Sequence, residues 1–288
     1  MTIAEGSAHD AHVLFNRASS TLSSEPRPFL RWAGSKQRLL SQLLPHMPSQ
    51  FGAYFEPFLG AGALFFLLEP GRAHLSDLCA PLVEVYEVVA RDPEAVYSQL
   101  SDMNILDKDL YYRVRAERPT SEIRRAARFV YLNRAGWNGL YRVNNKGVFN
   151  VPYGRPATSN TIDFSNLMAC SAALARDSVT IGVDDFSTIE DKAVAGDFVY
   201  FDPPYVTGHN NNGFIDYNEN LFSWSDQVRL ASLARRLQEN SVHVVVSNAH
   251  HEAVLALYPT FRVAEVSRRS TLASSIKSRK AVAEAVFY

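Results

Sequence analysis

Asp202-Pro203-Pro204-Tyr205 follows the apolar run Phe198-Val199-Tyr200-Phe201, and that order suits one kind of chemistry. Two successive prolines hold the backbone extended and remove two amide donors, so nearby carbonyl oxygens stay free to accept. With the Asp202 carboxylate they form an acceptor-only corner. A planar exocyclic amine placed there gives one hydrogen to Asp202 and the other to a backbone oxygen, that of Pro203. Its nitrogen is drawn toward tetrahedral geometry and its lone pair is aimed at an electrophile. Tyr205 offers a flat face for a base taken out of its stack. A proline-rich loop with an acidic turn residue is common in α/β proteins, but the strand before, Asp first and Tyr last favour the chemical reading. The candidate catalytic set is therefore Asp202, Pro203, Pro204 and Tyr205. Asp202 acts here as an acceptor, because a carboxylate of ordinary pKa cannot strip a neutral aromatic amine. Neither Cys79 nor Cys170 has the setting of a nucleophile, which argues against a thiolate adduct.

A second group suits a nucleotide-like ligand. In Tyr54-Phe55-Glu56-Pro57-Phe58-Leu59-Gly60-Ala61-Gly62, glycines after a short strand let the backbone approach a ligand and open a helix N-terminus. Asp77, about one βα unit later, is placed to accept from ribose hydroxyls. No third glycine stands in a pyrophosphate-binding position, since Phe65 follows, so a ligand without phosphate is favoured over a dinucleotide. S-adenosylmethionine is such a ligand. Asp184-Asp185-Phe186 offers a carboxylate for an adenine amine and an aromatic edge for its ring. Taken alone, it reads more readily as a simple acidic helix cap.

Charge is the third signal. The net charge of -1 points to no polyanion partner for the chain as a whole, so any basic face is local. From Arg124 to Arg155 the chain carries Arg124, Arg125, Arg128, Arg134, Arg142, Lys146 and Arg155 with no Asp or Glu, interleaved with Trp137, Asn138, Tyr141, Asn144 and Asn145. Arg and Lys suit phosphates, Arg and Asn read purine edges, and Trp wedges or stacks at a disturbed base step. A second cluster holds Arg268, Arg269, Lys277, Arg279 and Lys280. Either cluster alone is also what a solvated surface looks like. Their segregation in a nearly neutral chain favours a nucleic-acid face.

These residues need a frame. The 288 residues, 47% hydrophobic and 20% charged, suffice for one large core with an insertion. Residues 1–28 read as a tail or weakly docked arm. Strand character falls at Tyr54-Phe55, His74 to Asp77, Val179 to Val183, Phe198 to Phe201 and Val242 to Val246, and helices at Ala63 to Leu68 and Ser225 to Glu239. Such short runs, apolar on both faces, suit a parallel sheet. Phe261 to Val266 and Ala281 to Tyr288 read as an antiparallel pair closing one sheet edge. Between the halves, residues 79–169 are mostly helical in spacing. The two cysteines lack ligand partners at metal-site spacing, so neither a disulfide framework nor a metal centre is expected. Neither a spanning segment nor a signal peptide is expected, and a reducing cytoplasm is the simplest location.

The quoted motifs, in this order, resemble the Dam family of adenine-specific DNA methyltransferases over nearly all of 29–288. They are Phe29-Leu30-Arg31-Trp32-Ala33-Gly34-Ser35-Lys36, then Glu56 to Gly62, Tyr131-Leu132-Asn133-Arg134, Trp137 to Asn144, Phe149-Asn150-Val151-Pro152, and Asp202 to Tyr205. Cofactor segment, recognition segment, catalytic strip is the alpha-group arrangement. The resemblance implies an α/β fold with a Rossmann-like class I methyltransferase sheet. It implies a catalytic, cofactor-binding domain at 29–78 and 170–288, and an inserted, mostly helical target-recognition domain at 79–169. Trp32, Lys36, Gly60, Gly62, Asp77, Asp185, Phe186 and Asp202 would hold S-adenosylmethionine. Arg134, Trp137, Asn138, Arg142, Asn144, Lys146, Arg268, Arg269 and Lys280 would meet double-stranded DNA, with GATC as the expected site and the nucleoid as the expected location. Ser35 departs from the family, which usually has a second glycine there. His209 to Phe214 does not match the best-known members, the polar stretch His209 to Tyr217 is expected to order on DNA, and 269–280 keeps only its flanking basic pairs. A cytosine amine, RNA or a protein amide would fit the same corner, and a silent DNA-binding module is the alternative of another class.

Overall fold

The structure, a computed structural model, describes residues 25–159, 162–205, 222–269 and 281–288. The His209 to Tyr217 segment, Lys277, Arg279, Lys280 and the tail up to residue 24 lie outside the described residues. At the near end of that tail the chain is docked: Asn166 accepts from the Arg27 amide and donates to its carbonyl.

Among the described residues, the strands β1 (Tyr54–Glu56), β2 (Ala73–Ser76), β3 (Val179–Gly182), β4 (Phe198–Phe201), β5 (His243–Ala249), β6 (Val263–Arg269) and β7 (Ala281–Phe287) form one seven-stranded sheet. Its order is β3-β2-β1-β4-β5-β7-β6. Strands β1 to β5 are parallel, and β7 runs antiparallel to both β5 and β6. The expected terminal pair does close the edge, with the last strand slotted inside β6. Chain order reverses between β1 and β4, which makes that gap the switch point where open α/β sheets bind ligands.

The helices are α1 (Leu40–Leu43), α2 (Ala63–Leu68), α3 (Ala80–Arg91), α4 (Pro93–Ser101), α5 (Lys108–Ala116), α6 (Glu122–Ala135), α7 (Phe164–Leu174), α8 (Trp224–Glu239) and α9 (Glu252–Leu255). Side chains alternate across each strand. On β4, Phe198 and Tyr200 enter a core shared with Leu64, Val85, Tyr86, Val130 and Leu167, while Val199 and Phe201 enter a second core with Leu230, Leu233 and Leu237. Helices therefore cover both faces, as the continuous apolar strands anticipate.

Helices α3 to α7 lie between β2 and β3 and form the helical interruption read from the sequence. Their apolar residues run into the same core as the β1, β2 and β4 side chains. Each of α4 to α7 starts at an Asp or Ser whose side chain accepts from a first-turn amide: Asp92, Asp107, Ser121 and Asp163. Helix α8 opens on a capping box of Ser223 and Asp226. After α6 the chain leaves helical form. Asn138 and Gly139 take φ of 54° and 64°, and antiparallel bridges at Val143–Phe149 and Gly136–Tyr153 make an irregular hairpin.

Candidate active site and exposed hairpin

Four carboxylates stand at or just beyond the carboxyl ends of β1 to β4, the end of a parallel sheet at which ligands gather. These are Glu56, Asp77, Asp185 and Asp202. The turn after β1 needs its glycines, because Gly60 and Gly62 have φ of 48° and 62°. A Cβ on Gly60 would also lie 2.8 Å from Cδ1 of Trp32. Asp77 ties the turn down: Oδ2 accepts from the Gly60 amide at 3.1 Å and Oδ1 from the Cys79 amide at 2.9 Å. Tyr86 donates to the Gly60 carbonyl at 2.8 Å. Burial raises the Asp77 pKa, against those two amides, which lower it.

Glu56 is fully enclosed, and its Oε2 accepts from the Tyr54 hydroxyl at 2.9 Å and the Phe65 amide in the first turn of α2 at 3.2 Å. Burial, reinforced by Asp202 and Asp77, pushes its pKa up to about 8 although the Tyr54 and Phe65 bonds oppose the shift. Beyond β3, Asp185 caps the short 3-10 turn Phe186–Asp191, so the acidic-cap reading describes what it does here. Its Oδ1 accepts from the Ser187 amide and hydroxyl and from Arg229. Phe186 is buried under Phe58, their rings 5.6 Å apart and nearly parallel.

At the β4 end the strip is fixed from behind. The Pro204 carbonyl accepts from Gln227 of α8 at 3.2 Å, and Gln227 accepts from Asn248 of β5 at 2.9 Å; both amides are wholly buried. Among the described residues, nothing donates to the Pro203 carbonyl, the second acceptor anticipated above. Lys36 forms an ion pair with Asp202 Oδ1 at 2.8 Å, donates to the Gly34 carbonyl at 3.0 Å, and lies 3.4 Å from Glu284 and 4.7 Å from the Tyr205 ring centre. The Tyr205 hydroxyl donates to Glu284 at 2.7 Å. Ser35 is accommodated before Lys36 because its φ is -47°, while Gly34 carries the positive φ of 85°.

Glu284, Gln227 and Asn248 are absent from the sequence-derived site. Glu284 had a signal, a lone acid in the otherwise apolar strand Ala281–Phe287. The amide pair had none, since each is an ordinary polar residue on a helix or strand until the two meet.

The basic stretch divides in two. Arg124 pairs with Glu117, Arg125 with Glu84, and Arg128 donates to the Val114 and Arg115 carbonyls, so these three hold helices together. Farther on, Trp137, Asn138, Arg142, Asn144 and Lys146 are exposed on the hairpin. Asn144 also shapes its turn, its Oδ1 accepting from the Lys146 and Val148 amides. Arg142 donates to Asn150 at 2.7 Å. Trp137, Leu140, Arg142, Val151 and Pro152 line a recess of about 300 Å³. Arg134 is part-buried near Arg31; burial and then that charge lower its pKa, and its Nε has no hydrogen-bond partner. Arg268 and Arg269 lie at the end of β6.

Asn133 joins hairpin to site. Its buried side chain accepts from the Arg31 amide at 2.8 Å and donates to the carbonyls of Arg31 at 2.6 Å and Gly139 at 3.0 Å. Trp32, next to Arg31, stacks near Tyr141 at 6.2 Å and Phe129 at 6.4 Å. Asn133→Ala leaves an amide and two carbonyls without these bonds, at about 1–3 kcal/mol for each buried group left unsatisfied. The expected result is a loss of roughly 3 kcal/mol in urea denaturation together with weakened DNA binding. Stability within about 0.5 kcal/mol of the parent, the usual range for a neutral surface change, would contradict the clasp.

Burial pushes the thiols of Cys79 and Cys170 up to about 12, so neither is a ready thiolate at neutral pH. Among the described residues, no helix is long and apolar enough to cross a membrane, and no group of three or more His, Cys, Asp or Glu is placed to hold a metal ion.

Comparison with known proteins agrees with this geometry. Residues 32–272 match the family described as D12 class N6 adenine-specific DNA methyltransferase. The chain is 35% identical over 267 residues to the type II methyltransferase M1.LlaDCHI of Lactococcus lactis subsp. cremoris, covering 90% of this chain and 94% of that protein. It is 36% identical to the type II methyltransferase M.MjaIII of Methanocaldococcus jannaschii, over 84% of this chain and 91% of that one. It is 31% identical to the DNA adenine methylase of Escherichia coli K12, over 90% and 93% of the two chains. With its acceptor corner across the switch point from a glycine turn, the chain belongs to the D12 class of N6 adenine-specific DNA methyltransferases.

Proposed function

We propose that this DNA adenine methyltransferase draws its methyl group from S-adenosylmethionine, takes the target adenine out of the duplex into the Asp202 corner, and acts at GATC. The observation that carries the reading is the placement of Asp202 and Pro203 after β4, across the switch point from the Gly60 turn and Asp77. The cleft fits such a donor on its own chemistry. Leu78 and Val183, 57% and 50% exposed, stand just beyond β2 and β3 beside Asp77 and Asp184. Large apolar side chains left open at adjoining strand ends suit a flat heterocycle that covers them. Asp77 would accept from ribose hydroxyls, Asp185 and Phe186 would meet the adenine end, and Trp32 would close over the Gly60 turn. When bound, S-adenosylmethionine supplies an electrophilic methyl carbon on a sulfonium.

The chain's own groups do the rest. Asp202 accepts one N6 hydrogen and the Pro203 carbonyl the other, which holds the nitrogen lone pair out of the ring plane. Tyr205 supports the ring by stacking. The carboxylate steadies positive charge growing on N6, and the proton then leaves by way of Asp202. Gln227 and Asn248 keep the strip from moving, which matters because small misplacements in an attack geometry cost large factors in rate.

On the DNA side, residues 79–169 form the target-recognition unit. Arg142, Asn138 and Asn144 would read base edges, Trp137 would enter at the disturbed step, and Arg134, Lys146, Arg268, Arg269 and Lys280 would meet phosphates. GATC rests on the resemblance of the recognition segment. The reaction belongs where the DNA is, in the cytoplasm at the nucleoid. The test is to methylate mixed-sequence DNA with purified protein and radiolabelled S-adenosylmethionine and to map the modified bases. N6-methyladenine enriched at GATC is expected. Another motif would discard the site alone, and unlabelled DNA would discard the donor.

A further inference from the structure

Lys36 stands where the substrate must go. Its ammonium is 2.8 Å from Asp202 Oδ1, a carboxylate oxygen the adenine amine needs, and 4.7 Å from the centre of the Tyr205 ring, the face on which the base would stack. It is also almost completely buried, with a side chain only 4% exposed. An arriving base cannot simply send it into solvent. Such a cation, moved off its carboxylate within a low-dielectric pocket, needs a second anion within reach. Glu284 is that anion. It lies 3.4 Å from the ammonium, is 1% exposed, and has the Tyr205 hydroxyl donating to it at 2.7 Å.

We propose that Lys36 is a resting-state plug on Asp202, and that Glu284 is the positioning residue that receives the ammonium when the adenine enters. The inference rests on the reading of Asp202 as the acceptor of the adenine amine. The exchange needs no proton transfer and no covalent step. Before it, the ammonium is shared and the corner is closed. After it, Lys36 belongs to Glu284, and the Asp202 oxygen that the ammonium held is open to the nitrogen that is about to become positive. Sharing the ammonium in the empty enzyme also limits the cost of holding the part-buried Asp202 and the buried Glu284 in one pocket.

The test measures capture of the base without any methyl donor, so it is independent of the donor's identity. The affinity of the intact protein is measured for a duplex carrying the mapped target adenine and for the same duplex with an abasic position there. The ratio reports what the adenine gains in the pocket. In Glu284→Gln, which keeps an acceptor for Tyr205 but loses the anion, Lys36 stays on Asp202, and the preference for adenine is expected to fall at least tenfold. Adding Lys36→Met to that variant removes the plug, and the preference is expected to return to within threefold of the parent. A purely structural Glu284 would instead lower both affinities alike, leaving the ratio unchanged. An unchanged ratio in Glu284→Gln, or a double variant as poor as the single one, overturns the proposal.

Should Glu284→Gln fail to fold by circular dichroism, Lys36→Met alone decides. There the plug is gone from Asp202 and the ratio rises at least threefold; an unchanged or lower ratio overturns the hand-off. Absence of adenine methylation by the parent protein in the mapping experiment would instead signal failure of the underlying reading.

Discussion

Asp202→Ala and Asp202→Asn are each expected to lower the single-turnover rate of methylation on the order of a thousandfold, the scale seen when one preorganised group facing transition-state charge is removed. The alanine removes the acceptor. The asparagine keeps shape and size but can present an amide NH2 to the adenine NH2, and it carries no charge to steady a cationic N6. DNA and methyl-donor affinities are expected to stay within a few-fold, because the fold does not hang on this side chain. Lys36 retains Glu284 at 3.4 Å and the Gly34 carbonyl at 3.0 Å, and the strip retains the Gln227 bond to Pro204. The pair of variants discriminates. A carboxylate that only organised its loop would be replaced well by asparagine, so near-parental turnover in Asp202→Asn would remove Asp202 from the chemistry.

Glu56 gives the second large effect, on stability. A carboxyl whose pKa is raised in the folded protein favours the folded state while it is protonated. The advantage is complete below about 4.5, its ordinary value, erodes as the unfolded chain ionises, and is gone above about 8. A shift of that size corresponds to as much as about 5 kcal/mol. Glu56→Gln keeps an oxygen to accept from Tyr54 and Phe65 but cannot ionise. Urea denaturation of parent and variant should therefore give similar stabilities at pH 5, with the variant ahead by up to about 5 kcal/mol at pH 9. Equal stabilities at both pH values would mean that Glu56 is not held neutral by burial. The neighbouring charge matters too: Asp202 raises the Glu56 pKa, so Asp202→Ala should move the transition to lower pH.

What could be read from the sequence divides along a physical line. Local features were legible because local chemistry produces them. The Gly60 turn requires positive φ, α2 begins at Ala63 where the apolar run begins, and β4 matches Phe198–Phe201 because a strand buried on both faces must be continuously apolar. Helical spacing in 79–169 was legible for the same reason, and α3 to α7 lie between β2 and β3. Features that depend on which strands become neighbours were not legible. Ala281–Phe287 reads as a strand, but nothing local says that it enters between β5 and β6 and so carries Glu284 to Lys36, about 250 residues earlier in the chain. The Gln227–Asn248 relay is hidden for the same reason. Arg124, Arg125 and Arg128 counted as part of a basic run because their partners Glu117 and Glu84, and the carbonyls of α5, are brought to them only by helix packing.

The most direct measurement is a crystal structure of the protein with its target duplex and a non-reactive analogue of S-adenosylmethionine. The account predicts an extruded adenine stacked on Tyr205, with N6 within hydrogen-bond distance of an Asp202 carboxylate oxygen and the Pro203 carbonyl, Lys36 turned to Glu284, and the analogue between the Gly60 turn and Asp77. An adenine amine bound away from Asp202, or an analogue seated elsewhere than the β1–β2 end of the sheet, would contradict it.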